Sequence, residues 1–311
     1  MTKPLVSVLM PAYNVEKFIA ESIDSQINQT YANWELLVCD DSSTDSTFEI
    51  ISQFAKKEKK IVVQKNTVNK GYLKTWNYLI RQVRGDFITF LDADDFASPE
   101  RIAILVDFLL ENPEVDLVGS AINMVSESGS FLGVKSYPEK ASEIKEALLS
   151  EKFPFCGSAV MIRRKVIEQS GIYNTFFDRI GWEDHDWLIR VCRNHTPANV
   201  SLALYSYRNN QQSVSRSFSV SQVEKLVIRK VGMEVHRIYE NAGIDLFSTE
   251  NFWRLHHLVN QYTQPFLRKK NLFYRFLMLR EPSWNSRVFF LVKALKTNPF
   301  DLKSIYFFLF R

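Results

Sequence analysis

The chain is predicted to be an α/β protein: a mixed, mainly parallel sheet flanked by helices, with a helical C-terminal extension. Three observations carry this expectation. In the first half, short β-like apolar runs alternate with segments of helical period, a pattern that builds right-handed βαβ units and a parallel sheet. From about residue 115, two strand-like runs follow one another across a short connection, which mixes the sheet. Beyond about residue 217 everything reads as helix.

In chain order, "LVSVLM" (5–10) is β-like, and Phe18/Ile19, Ile23 and Ile27 then recur at helical spacing. "ELLVC" (35–39) reads as a second buried strand. The Ser and Asp residues of "DDSSTDS" suit the N-cap of a helix carrying Phe48, Ile51 and Phe54/Ala55. "KIVVQK" (60–65) is a third strand, and Tyr72, Trp76, Leu79/Ile80 and Val83 mark an amphipathic helix. "DFITFL" (86–91) is a fourth strand, with Pro99 where the next helix would begin. "VDLVGSAINMV" and "FLGVKSY" are strands, 139–151 a helix, and "RRKVIEQSG" a short helix stopped by Gly171. "WEDHDWLIRVCR" (182–193) is helical and "ANVSLALYSYR" (198–208) a late strand. The expected domains are a catalytic domain at 1–216 and a helical region at 217–311.

Composition bounds the class. At 311 residues, 46% hydrophobic and 24% charged, the chain is ordinary globular protein with ample core. Cys39, Cys156 and Cys192 lack metal-ligand spacing and read as reduced thiols packed as small hydrophobes. The opening "MTKPLVSVLMPAYN" lacks the long apolar region of a signal peptide and reads as a first strand. The longest apolar run, "IYFFLF" (305–310), is far short of the ~20 residues a spanning helix needs. The net charge of +4 hides an asymmetry: residues 266–311 hold ten Lys/Arg against Glu281 and Asp301, or +8, which leaves −4 for residues 1–265.

Ligands of open α/β sheets bind at the carboxyl ends of strands. Four polar clusters fall there: Pro11-Ala12-Tyr13-Asn14, Asp40-Asp41, Asn69/Gly71, and the Asp92, Asp94 and Asp95 group. An isolated pair of this kind would read as a solvated turn, and four at one rim read as a site. In "FITFLDADD", Asp92 and Asp94 lie on one side of an extended segment, with Ala93 opposite. Hard oxygen ligands so placed suit Mg²⁺ or Mn²⁺, which bind through one or two carboxylates plus substrate phosphates. Asp95 reads equally well as part of the turn into the next helix. Neither GxxxxGK[ST] nor GxGxxG is present, so the metal is expected to hold a diphosphate, while Asp41 could accept the imide N–H of uracil.

The stretches "VSVLMPAYN", "ELLVCDDSSTDST", "NKGYLKTWN", "RGDFITFLDADD" and "GWEDHDWLIR" arrive in the order and spacing of family 2 glycosyltransferases. Over residues 4–215 the chain resembles that family in its non-processive bacterial type. The resemblance implies a GT-A fold and inverting transfer of one sugar from a nucleotide-sugar donor, UDP-linked on the reading of Asp41. It implies that Pro11, Ala12, Tyr13, Asn14 and Asp41 line the nucleoside pocket, with Asn69 and Gly71 as its wall. Asp92 would approach the ribose or the metal, Asp94 would be the main ligand of the Mn²⁺ or Mg²⁺ cofactor, and Asp184 would be the catalytic base. Glu183, Trp182 and His185 would support catalysis or acceptor binding, with core packing the competing reading for Trp187. A base is chemically apt, since inversion needs one carboxylate to take the acceptor's proton while the donor bond breaks on the opposite face.

Two departures stand out. The family commonly has Gly where this chain has Ser42, so a looser loop is expected, and Asn210 stands where many members carry a His, which puts that loop's part in metal binding in doubt. The QxxRW motif of processive members is absent. Residues 266–311 interleave cations with twelve aromatics; peripheral contact with an anionic membrane and a lid packed on the catalytic domain stand side by side, and no nucleic-acid partner is expected. The whole reads as an enzyme of surface polysaccharide synthesis with a glycan or lipid-linked acceptor, cytoplasmic or on the inner face of the membrane. A sugar nucleotidyltransferase would want a Gly-rich basic segment where "PAYNVEKF" stands, and Asp92, Asp94 and Asp184 argue against a catalytically silent binding module.

Overall fold

The computed structural model describes residues 3–150, 152–178, 181–209 and 221–248, with scattered positions between 250 and 292. Asn210 and all but two positions of the basic, aromatic segment 266–311 lie outside the described residues. The chain divides into two compact units, Met1–Lys225 and Leu226–Arg311.

The first unit is a mixed sheet with helices on its faces. β1 (Val6–Ala12) lies between β2 (Trp34–Asp40) and β4 (Phe87–Phe90), parallel to both, and β3 (Ile61–Lys65) extends β2 in parallel. Helices α1 (Ile19–Ile27), α2 (Thr47–Lys57) and α3 (Tyr72–Ile80) make the crossovers. β1 from Val6 to Met10 and all of β2 are buried, as befits central parallel strands covered on both faces. On one face Val6, Val8 and Met10 join Leu36, Val38, Ile19, Ile23 and Ile51 in a single core. Elsewhere Phe90 meets Trp76 and Trp187 edge to face, at 5.2 and 6.2 Å between ring centroids. Trp187 therefore belongs to the core.

Beyond β4 the direction changes. β5 (Phe96–Ala97) and α4 (Arg101–Glu111) lead to β6 (Leu117–Ser126), β7 (Phe131–Lys135) and α5 (Ala141–Leu149). Then come β8 (Met161–Arg163), α6 (Arg164–Ser170), α7 (Glu183–Asn194) and β9 (Pro197–Asn209). The strand order is β3-β2-β1-β4-β8-β6-β9-β5, with β7 pairing β6. β8 runs antiparallel to both β4 and β6, while β9 is parallel to β6. The sheet is thus mixed as predicted, but the reversing strand is β8, of which the sequence reading took in only Arg163, as the start of the following helix. Three residues are too few for a periodic signal, and β8 exists because β4 and β6 pair with it. The entry to α4 also differs from expectation: Pro99 lies in a turn closed by the Arg101 N–H on the Ser98 carbonyl (3.1 Å), and the helix begins at Arg101.

The helix α8 (Ser221–Ala242) crosses from the first unit into the second and ends at Gly243, whose φ of +67° is left-handed. No helix among the described residues is long and apolar enough to cross a membrane.

Candidate active site

The carboxyl ends of β1, β2 and β4 form one rim, and the four polar clusters gather there. At the end of β2, the buried Asp41 accepts three hydrogen bonds, two on one carboxylate oxygen and one on the other. Its Oδ1 accepts from Asn66 Nδ2 (2.7 Å) and the Lys70 N–H (2.9 Å), and its Oδ2 accepts from the Gly71 N–H (2.8 Å). Gly71 can make this contact because its φ of +89° is open to glycine and strained for other residues. Asn69 donates to the Asp41 carbonyl (3.3 Å), so Asn69 and Gly71 are drawn against Asp41 as one wall. Asn14 ties β1 to the β2 loop, accepting from the Thr44 N–H (2.8 Å) and donating its own N–H to Ser43 Oγ (3.0 Å). Beside it Ala12 is buried, Pro11 half-buried and Tyr13 47% exposed, an aromatic face turned to solvent at the rim. Ser42 takes the left-handed φ of +65° itself, so this loop turns as a glycine loop would.

The β4 end is built differently. The strand ladder stops at Phe90, so Asp92 lies just past the strand rather than within it. Residues 92–95 form a turn closed by the Asp95 N–H on the Asp92 carbonyl (3.1 Å). Asp92 and Asp94 nonetheless share the open side, both half-buried, while Ala93 and Asp95 face inward. Asp95 is spent on structure: it accepts from Tyr205 Oη (2.8 Å) and the Arg208 N–H (2.7 Å), which pins the turn to β9. Asp92 accepts from Ser158 Oγ at Oδ2 only. The Asp94 carboxylate takes no hydrogen bond from another residue among those described; Arg208 Nε reaches only its carbonyl (2.7 Å).

Asp184 opens α7 from the other side. Trp182, immediately before the helix, has a left-handed φ of +84°, strain of the kind stored at functional sites. Glu183 turns inward and accepts from Tyr72 Oη; Asp184 turns the other way and accepts from Tyr173 Oη. A Cβ on Gly157 would lie 2.8 Å from Asp184 Oδ2, so that position leaves room for the carboxylate. Gly157 and Ser158 share one 3-10 turn (Gly157–Ala159), the first residue facing Asp184 and the second bonding Asp92. His185 is buried, with Nε2 3.1 Å from the Leu148 carbonyl and its ring stacked between Phe153 and Trp182 (5.5 and 4.9 Å). It holds Trp182 in place and does not face solvent.

Electrostatics separate these groups from ordinary surface acids. Burial, then the neighbouring Asp94, raises the Asp92 pKa; burial, then Glu183, raises that of Asp184; burial raises that of Asp94. Three carboxylates resisting ionisation at one rim call for a cation. The donor set fits a hard divalent ion: Asp94 is unclaimed and Asp92 keeps one oxygen free. Among the described residues no group of three or more His, Cys, Asp or Glu is placed to hold a metal ion.

The glycosyl transferase family 2 model matches residues 7–171, a stretch that runs from the second residue of β1 through α6 and contains every rim cluster except Asp184. The chain belongs to glycosyl transferase family 2. A relative, the UDP-Glc:alpha-D-GlcNAc-diphosphoundecaprenol beta-1,3-glucosyltransferase WfgD of Escherichia coli, is 34% identical over 216 residues, covering 68% of this chain and 79% of its own. Among solved structures, S. aureus TarS 1-349 in complex with UDP-GlcNAc superposes with a TM-score of 0.62 at 17% identity, covering 94% of this chain and 92% of that one. The mannosyltransferase PcManGT of Pyrobaculum calidifontis, in complex with GDP-Man and Mn²⁺, gives 0.56 at 17% identity, covering 97% and 88%. The protein is a glycosyltransferase with the GT-A fold of this family.

Sequence reasoning did not find Ser158, Tyr173, Tyr205, Arg101 or Arg208. Ser158, Tyr173, Tyr205 and Arg208 reach the rim from elements distant in sequence, while Arg101 follows Asp95 by six residues with no local sign of its burial. Arg208 also donates to Glu21 (2.6 Å) and to the Glu127 carbonyl (2.7 Å).

Proposed function

We propose that the protein transfers a single sugar from a UDP-sugar to a glycan or lipid-linked saccharide, with inversion and with Mn²⁺ or Mg²⁺ bound. The observation that supports this most directly is the 3-10 turn at 157–159, which touches Asp184 with one residue and Asp92 with the next. That turn sets a candidate base beside a candidate metal-binding turn, the pair of groups an inverting transfer needs.

In this reading Asp41, held by Asn66 and the 70–71 backbone, presents its carboxylate to the uracil imide, with Pro11 and Tyr13 flanking the base. Asp94, with Asp92, holds the divalent ion, which when bound supplies charge stabilisation to the departing diphosphate. Asp184 accepts the proton of the acceptor hydroxyl. Tyr173 orients it, and burial keeps its basicity high enough to do so. Trp182, stacked on His185, offers the acceptor sugar an apolar face. The WfgD description supports both a UDP-linked donor and a lipid-diphosphate acceptor. An acceptor of that kind would bring the enzyme to the cytoplasmic face of the membrane, with residues 266–311 as its contact and residues 1–216 as the catalytic domain.

The test is transfer from UDP-sugars, donor hydrolysis included, with Mn²⁺ present. Asp184→Asn and Asp94→Asn are each expected to lower turnover by about 10³-fold or more with the fold intact by circular dichroism. Turnover within tenfold of wild type in Asp184→Asn would remove the base assignment.

A further inference from the structure

Arg101 is in the wrong place for a residue that only stabilises the fold. It is the first residue of α4, where the helix dipole disfavours a cation, and it is fully buried. Its Nε and Nη1 have no hydrogen-bond partner among the described residues. A buried charge left this incompletely paired costs stability, and an apolar side chain of similar volume would pack better. Where a sequence breaks local rules this openly, function is the first place to look.

Its one fully engaged nitrogen explains the arrangement. Nη2 donates to Thr89 Oγ1 (2.8 Å), the Phe90 carbonyl (3.1 Å) and the Ser158 carbonyl (2.9 Å), clamping the end of β4 to the 157–159 turn. From there two arms reach the acidic turn. Ser158, held by its carbonyl, donates its hydroxyl to Asp92 Oδ2. Tyr205, whose ring lies 5.0 Å from the guanidinium carbon, accepts the Asp92 N–H (3.1 Å) and donates to Asp95 Oδ2 (2.8 Å). Among the described residues Arg101 donates to Thr89, Phe90 and Ser158 rather than to the carboxylates of Asp92 or Asp94, so it shapes the turn without occupying the oxygens that face outward. Burial lowers its pKa only to about 10, so it remains a cation at neutral pH and eases the crowding of carboxylates above it.

We propose that Arg101 is a positioning residue that holds the Asp92–Asp95 turn in the shape a divalent cation binds, acting through Ser158 and Tyr205. This rests on the reading that the turn binds such a cation. The role is structural support for a ligand set rather than contact with substrate, and it predicts a specific signature: weakened metal affinity with chemistry preserved once metal is saturating.

The test titrates the full-length protein with Mn²⁺ alone, free ion being read by electron paramagnetic resonance. Arg101→Lys keeps the charge but not the three-way clamp, and is expected to weaken Mn²⁺ binding by about 10- to 100-fold. At saturating Mn²⁺ its kcat is expected to return to within about threefold of wild type, a recovery that general loosening of the fold would not give. Unchanged Mn²⁺ affinity in Arg101→Lys overturns the proposal, as does a kcat that excess Mn²⁺ does not restore. If Arg101→Lys fails to fold, Ser158→Ala cuts one arm beyond the clamp; a loss of Mn²⁺ affinity of about threefold or more supports the proposal and an unchanged affinity overturns it. Wild-type protein that binds no Mn²⁺ would overturn the metal reading as a whole, whereas wild-type binding with an unaltered variant would overturn only the role of Arg101.

Discussion

The rim has two acidic halves that look alike in sequence and are wired in opposite ways. At the β2 end, Asp41 receives three N–H donors from within the chain. Among the described residues, at the β4 and α7 ends, the Asp94 carboxylate receives no donor from another residue, Asp92 one hydroxyl, and Asp184 one phenol. The first half is finished by the protein itself, its loop wrapped around the carboxylate. The second half holds charge that burial opposes and that no buried cation among the described residues pairs directly. An acid given three donors contributes to folding even where one lone pair remains for a ligand; an acid short of donors is held at a cost to folding.

The sharpest way to break this comparison is stability measured on both halves. Asp41→Asn turns an amide N–H₂ toward buried donors and is expected to lower unfolding free energy by about 3 kcal/mol in urea titration. Asp184→Asn should do the reverse. A carboxylate with a raised native pKa is protonated more readily folded than unfolded, so its ionisation subtracts stability as pH rises from its unfolded value near 4 to its folded value of about 7. Asp184→Asn should therefore match wild type below pH about 4 and exceed it by on the order of 1 kcal/mol above pH about 7, the half-exposed site discounting the full shift. Loss of stability in both variants would erase the distinction between the halves.

Most of the fold was legible because the strands and helices of the first half carry strong periodic signals, as in "ELLVC" and the Trp76 helix. The four rim clusters were legible for a related reason: a strand that ends in acids announces where its carboxyl end points. What could not be read was the division of labour within each cluster. Asp92, Asp94 and Asp95 differ because Ser158, Tyr205 and Arg208 arrive from positions 66 to 113 residues away, by way of β8 and β9. β8 is too short to show any period, and β9 reads as a strand without revealing which neighbour it will meet. Pairing across such distances is set by the assembled sheet, not by local pattern.

A smaller effect tests the geometry that links the two acids of the second half. Gly157 leaves the space that Asp184 fills, and Gly157→Ala would set a Cβ 2.8 Å from Oδ2. The carboxylate can swing aside at little cost to stability, but it then leaves its hydrogen bond with Tyr173. Turnover is expected to fall by about 10²-fold with a melting temperature near that of wild type. A full rate in Gly157→Ala would mean that the position of Asp184 is not fixed by this turn, and the two acids would lose their common support.

The smallest expected effect concerns Ser42, a strained residue in the β2 half of the rim. Ser42 holds a φ of +65° with a side chain that makes no hydrogen bond among the described residues. A left-handed conformation costs a non-glycine residue roughly 1–2 kcal/mol. Ser42→Gly removes that strain but gives the unfolded chain about 0.4–1 kcal/mol of added freedom, so the net gain should be below about 1 kcal/mol. The melting temperature should rise by a few degrees at most, and UDP affinity should change by less than about twofold. If Ser42→Gly instead destabilised the protein, the hydroxyl would be supporting a loop that otherwise needs no help, because Asn14, Ser43 and Thr44 already close it with backbone donors. If it weakened UDP binding while leaving stability unchanged, Ser42 would join Asp41 as a proposed nucleotide contact, and the β2 end would resemble the β4 end in holding a polar group that the fold itself does not use.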